Sequence, residues 1–305
     1  MKWNKQGLIY APDKSLPWAQ KYAFPPLPFF IKPDVLRIYV AFCDENMVGR
    51  AAYVDVSADN PLNVLAVSKN PILDIGNAGA FDENGVVPTT VVKVRDEIWM
   101  YYVGYQLGQK IRYYQFQGLA VSTDGGETFQ RKQKIPVLDR SDREMLNRCS
   151  AHVQFDGKKF RMWYAGGSEW TVSNGKDFPV YNIKYLESDD GVNWGKQGAT
   201  AIDFVGGEHA LGKPFVIFAD GKYRMFFSMR VRDIKGYRLG YAESDDCLNW
   251  TRKDDEIKMN ISSDGWDSES ISYTSVIQYR DNWYMFYNGN NLGETGFGYA
   301  VLESW

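Results

Sequence analysis

At 305 residues, 44% of them hydrophobic, the chain is long enough to bury one large core, and repetitive all-β folds reach this length as a single domain. A net charge of −3, from 35 Lys and Arg against 38 Asp and Glu, excludes the net basic face that nucleic acid or an anionic membrane surface would require. Cys43, Cys149 and Cys247 lack metal-ligand spacing and read as reduced packing residues.

The N-terminal stretch Met1–Lys5 has no apolar run of the secretory type, and no segment approaches the roughly 18 apolar residues of a membrane span. The expectation is a cytoplasmic protein without a membrane partner. From Arg37 onward one pattern recurs. Arg37–Phe42, Trp99–Gly104, Arg161–Gly166, Arg224–Met229 and Tyr284–Gly289 are apolar runs of strand length, four of them preceded by a tight polar turn. Ser122–Phe129, Ser188–Trp194 and Ser244–Trp250 are short Asp-containing turns that follow further apolar runs. The stretch Pro214–Trp250 holds one complete unit of four strands. Five copies of this unit predict an all-β fold, a five-bladed β-propeller of four-stranded antiparallel sheets, spanning residues 1–305 as one domain. The fifth copy ends at Trp305 before a fourth strand, and Trp3–Gly7 echoes Trp194–Gly198. An N-terminal strand within about residues 1–10 is therefore expected to complete blade five and tie the ring shut.

In each unit the first-to-second and third-to-fourth turns are short. The second-to-third segments, at 104–114, 166–181, 229–236 and 288–296, are long, as are the links between units. In an antiparallel meander both long sets fall on one face, which marks that face for binding. The links also carry ionisable groups. Glu83, Glu208 and Glu269 fall just ahead of three innermost strands, Asp82 and Asp267 sit beside two of them, and His152 and His209 enter blades three and four. With Arg148 these groups converge on one funnel, the setting that general acid–base chemistry needs. The competing reading of the same acids is that they are ion pairs and turn caps holding blades together. Tyr105, Tyr113, Trp170, Tyr181 and Trp266 suit stacking on sugar C–H faces, with Arg230, Asn288 and Asn290 bonding hydroxyls. Packing between blades is the competing role for each aromatic.

The segments Gly79–Pro88, Glu208–Pro214, Phe227–Arg230, Gly265–Ser270, Tyr287–Asn290 and Gly296–Ala300 resemble the five-bladed propeller glycosidases of glycoside hydrolase families 43, 32 and 130. The resemblance implies an oligosaccharide or sugar-conjugate substrate and no cofactor, with a structural metal ion in the axial channel left open. It also implies one carboxylic acid to protonate the leaving oxygen and one carboxylate to activate water, roughly 6.5–9.5 Å apart in an inverting enzyme. Glu208, ahead of Gly212 and Pro214, is similar in setting to the family's general acid. Asp82 is favoured as the partner, with Glu83 beside it and with Asp267 and Glu269 bonding hydroxyls. The base that family 43 carries at the start of blade one has no counterpart, because that entry reads Tyr22–Pro28 without an acid. Three alternatives stay open: a phosphorylase with phosphate against Arg148, His152, Lys213 and Arg230, a glycosyl-transferring enzyme, and a non-catalytic glycan-binding propeller.

Overall fold

The structure is a computed structural model that describes residues 1–173 and 175–305. Strands β2 (Lys21–Lys32), β3 (Val35–Cys43), β4 (Gly49–Ser57) and β5 (Val64–Val67) pair in sequence as one antiparallel sheet. The same meander repeats in β6 (Val86–Val94), β7 (Glu97–Leu107), β8 (Tyr113–Ser122) and β9 (Gln130–Arg131). It repeats again in β10 (Asn147–Phe155), β11 (Phe160–Ser173), β12 (Lys176–Ser188) and β13 (Ala199–Ile202), and in β14 (Glu208–Ala219), β15 (Lys222–Val231), β16 (Arg238–Ser244) and β17 (Thr251–Arg252). The last sheet is β18 (Ser272–Tyr279), β19 (Asn282–Asn288), β20 (Phe297–Ser304) and then β1 (Lys2–Tyr10).

The first strands lie against one another in the order β2, β6, β10, β14, β18, and β18 lies against β2. The second strands are buried along nearly their whole length because a neighbouring sheet covers each face, which is why they read as unbroken apolar runs rather than alternating ones. Hydrophobic clusters fill the space between successive sheets: Tyr39 meets Met100, Trp99 meets Phe160, Trp163 meets Met225, and Phe226 meets Met285. A further cluster joins Phe286 and Tyr299 of the last sheet to Leu36 and Val40 of the first. Strand β1 pairs antiparallel with β20, with Trp3 opposite Leu302 and Gly7 opposite Tyr299, and Trp3 is buried against Phe226.

The segments 104–114 and 166–181, expected as loops, are largely strand. β7 and β8 stay paired out to Leu107 and Tyr113, and β11 and β12 remain paired from Glu169–Val180 to Ser173–Lys176. Alternating Tyr, Gln, Thr and Val residues there favour a pleated ribbon over a coil. All three cysteines are free and buried.

The Ser-x-Asp turns explain their own recurrence. Asp190 Oδ1 accepts the Val192 and Asn193 amides while the Ser188 hydroxyl donates to the same carboxylate, and Asp124 and Asp246 repeat the arrangement. The Asn193 amide chiefly holds Asp190 down to about 2. At Asp124, burial raises the pKa but hydrogen bonds from Ser122 and Thr128 outweigh it, again giving about 2. Because these folded values lie below the unfolded one, the stabilisation is complete above about pH 4 and is lost as pH falls through about 2. Urea unfolding of Asp124→Asn, Asp190→Asn should accordingly show a flatter stability loss across that window than the wild type does.

Candidate functional site

Asp82, Glu208 and Asp267 each hold a buried ion pair, which fits the reading of these acids as links between elements. The Asp82 carboxylate is 1% exposed and accepts from Tyr102 Oη at 2.9 Å and Arg131 Nε at 2.8 Å. Asp267, 3% exposed, accepts from Lys5 Nζ at 2.6 Å and Tyr287 Oη at 3.1 Å. Glu208, 7% exposed, takes both Nη atoms of Arg252 at 2.6 and 2.7 Å, and that guanidinium lies over the Phe227 ring. Glu144 completes the series by accepting from Arg148 Nε at 2.6 Å and Tyr164 Oη at 2.7 Å.

These are four versions of one clasp. Tyr102, Tyr164, Phe227 and Tyr287 each stand two residues after the methionine of their second strand, at Met100, Met162, Met225 and Met285. The acid comes from the link ahead of the sheet, and in three of the four the base comes from the outer strand: Arg131 on β9, Arg252 on β17, Lys5 on β1. The glycines that follow the aromatic make room for the link. A Cβ on Gly104 would collide with Phe81, and one on Gly289 with Trp266.

Other expected site residues also make contacts within the chain. Arg148 donates to the Asp139 and Gly195 carbonyls besides Glu144. Asn288 donates to the Ala23 and Gly296 carbonyls, Asn290 accepts from the Glu269 and Ser270 amides, and Trp266 stacks on Tyr287 at 5.0 Å. Glu83 accepts the Gly79 amide at 2.6 Å. Trp170 packs edge-on against Tyr113 and does not line the cleft described below. His152 lies towards the opposite face, its ring tilted against that of Phe215 at 4.4 Å, and Lys213 is buried.

The expected binding face does carry a cleft of ≈ 390 Å³, to which residues of all five sheets contribute. Tyr22 and Phe24 come from β2, Tyr105 and Tyr113 from the β7–β8 ribbon, Phe178 and Tyr181 from β12, Arg230 and Tyr237 from around the β15–β16 connection, and Tyr273 from β18. Among the described residues its only charged lining groups are Arg112 and Arg230. Arg230 is sandwiched, its guanidinium 4.1 Å from the Tyr237 ring centroid and 4.6 Å from that of Phe178, and no carboxylate pairs with it among the described residues. A second lobe of ≈ 660 Å³ shares Tyr22, Arg112, Phe178 and Arg230 and adds His209, Lys176, Glu269 and Glu294. Glu269 is half-exposed and meets Lys235 at 2.8 Å.

The electrostatics follow from that charge. Burial pushes the Tyr237 hydroxyl up, but the Arg230 charge and hydrogen bonds from Tyr181 and Tyr273 outweigh it and bring it below the ordinary phenol value. Tyr181 and Tyr273 are pushed well up by burial, and the Tyr181 and Tyr237 hydroxyls share a hydrogen bond at 3.1 Å. Burial, then Arg230 and Arg232, keep His209 neutral by lowering its pKa. Tyr22, Tyr273 and Phe178 sit on strands and Tyr237 just ahead of one, and none of the four was singled out in the sequence. A usable signal was the backbone: Tyr22 and Tyr273 occupy positive-φ positions at bulges of their inner strands, which turn side chains towards the axis.

Residues 70–205 match the family described as the glycosyl hydrolases family 32 N-terminal domain. The chain is 34% identical over 307 residues to the uncharacterized protein Rv1502 of Mycobacterium tuberculosis (strain ATCC 25618 / H37Rv), covering 100% of both. A thermostable family-43 glycoside hydrolase superposes with a TM-score of 0.69 at 18% identity, over 96% of this chain and 91% of that one. A structure from the GH130 family of mannoside phosphorylases, described as containing glycoside hydrolases that target β-1,2 mannosidic linkages in Candida mannan, superposes with a TM-score of 0.71 at 14% identity, over 98% and 93%. The chain therefore belongs to the family of Rv1502, and its all-β fold is that of the propeller glycoside hydrolases.

Proposed function

We propose that the protein is a carbohydrate-active enzyme of the glycosidase type whose sugar ring lies on the cleft tyrosines, with a negatively charged substituent of the substrate against Arg230. The observation that carries this reading is an aromatic cleft at the hub of a propeller in which a sandwiched, half-buried arginine has no carboxylate partner. An unpaired guanidinium there is best completed by an anion. The second lobe carries the carboxylates Asp233, Glu269 and Glu294, of which Glu269 and Glu294 are assigned the acid–base work, one protonating the leaving oxygen while the other takes a proton from water. The sheets are read as five blades, with β1 closing the ring.

The test is a panel of neutral and uronic aryl-glycosides, incubated with and without inorganic phosphate. Turnover should favour the uronic members, Arg230→Met should weaken them by roughly 30-fold or more, and Glu269→Gln should cut kcat by about 10²-fold. Equal turnover of neutral and uronic glycosides, unaffected by Arg230→Met, would remove the anionic-substrate reading. The same unpaired arginines favour phosphate as a second reading, and strict phosphate dependence would make the reaction phosphorolysis. Saturable binding of the panel without any turnover would leave a glycan-binding propeller, to which a central lobe without carboxylates is also suited.

A further inference from the structure

The inner strands also bury a cationic side chain outside the cleft, Lys213. Ser150, Lys213 and Tyr273 occupy one equivalent place on β10, β14 and β18: each lies two residues before the residue that resumes pairing after a bulge, and each has positive φ, at 55°, 49° and 57°. Tyr273 reaches the cleft. Lys213 lines neither the cleft nor the cavity of the opposite face, is 2% exposed, and finds no hydrogen-bond acceptor among the described residues. Its Nζ stands 5.3 Å from the Phe215 ring, which on its other contact packs against His152.

No acidic group compensates this lysine. Burial alone lowers it, to about 7, and His152 is pushed down to about 3 by burial and then by the Lys213 charge, so the imidazole is neutral and offers no countercharge. The remaining unpartnered groups of the inner strands are mostly donors: the hydroxyls of Ser272, Thr274 and Ser275 on β18 and the carboxamide of Asn147 on β10. Burying an ammonium without a partner is costly, and an anion is the group that offsets the cost. The same lysine repels a cation, which argues against the structural metal ion left open from the sequence.

We propose that buried, unpartnered Lys213 on β14 is the binding site for one halide-sized monovalent anion. The site is separate from the sugar cleft and stands whether or not that cleft turns over glycosides. Chloride stabilises the fold by ion-pairing with the buried ammonium.

Bromide-soaked crystals of the full chain should show an anomalous peak within hydrogen-bonding distance of Lys213 Nζ. In solution, replacing sodium gluconate by sodium chloride at constant ionic strength should raise the wild-type Tm by about 2–4 °C. Lys213→Met should abolish that response and, in gluconate, melt at or above the wild-type temperature, since it removes the unpaired charge. A Lys213 ammonium contacted by water alone after the bromide soak would overturn the proposal, as would a Lys213→Met protein that keeps the chloride response. If Lys213→Met does not fold, the bromide soak of the wild type decides alone.

Discussion

Removing residues 1–10 should leave a chain that no longer melts cooperatively above 37 °C. Strand β1 supplies the outer ladder of the last sheet, from Trp3 opposite Leu302 to Tyr10 opposite Phe297, and its loss exposes β20 as a bare edge. Two further costs come with it. Trp3 is 6% exposed and packs edge-on against Phe226 and Trp305, and deleting a buried Trp side chain costs about 3–5 kcal/mol. Lys5 is the clasp base for Asp267, and leaving that carboxylate buried without its cation costs a further 3–5 kcal/mol or so. Even with incomplete additivity the sum rivals the roughly 5–15 kcal/mol that holds a domain together. Differential scanning calorimetry of the truncated protein checks this, and a wild-type melting temperature would show that β1 is not the closing strand.

Asp82→Ala should destabilise the protein by about 3–5 kcal/mol while leaving turnover per folded molecule unchanged. The substitution strips Tyr102 and Arg131 of their shared acceptor in a pocket where Asp82 is 1% exposed and Arg131 is 25% exposed. The uncompensated guanidinium carries most of the loss. Asp82→Ala with Arg131→Met should therefore recover part of it, a coupling that a catalytic role for Asp82 does not produce. Urea unfolding of the single and double variants measures the effect. A stable Asp82→Ala protein with a hundredfold fall in kcat would return Asp82 to the acid–base pair.

Much of the fold was legible because it is local. The repeated second strands, the Ser-x-Asp turns and the Trp3–Gly7 echo are short-range patterns, and the structure pairs the strands they mark. The position of the acids was legible too, at equivalent points of the links. Their role was not, because each partner is distant in sequence: Asp82 lies 49 residues from Arg131, Glu208 44 from Arg252, and Asp267 262 from Lys5. One signal was available. An aromatic residue two positions after the second-strand methionine recurs alongside the acids, in three of the four cases with a base on the outer strand. Tyr105, Tyr113 and Tyr181 were found because they sit near the long second-to-third connections, whereas Tyr237 lies between Gly236 and Arg238 and Tyr273 between Ser272 and Thr274, neighbours that mark neither as a cleft residue.

The most direct measurement is a crystal structure of the wild type soaked with a uronic aryl-glycoside. The sugar should lie on Tyr181, Tyr237 and Tyr273, with its carboxylate bonded to Arg230 and its glycosidic oxygen towards the lobe that holds Glu269. A sugar bound elsewhere, with Arg230 untouched and the Asp82 or Glu208 clasp opened to receive it, would contradict the assignment of the cleft as the active centre and of those acids as framework.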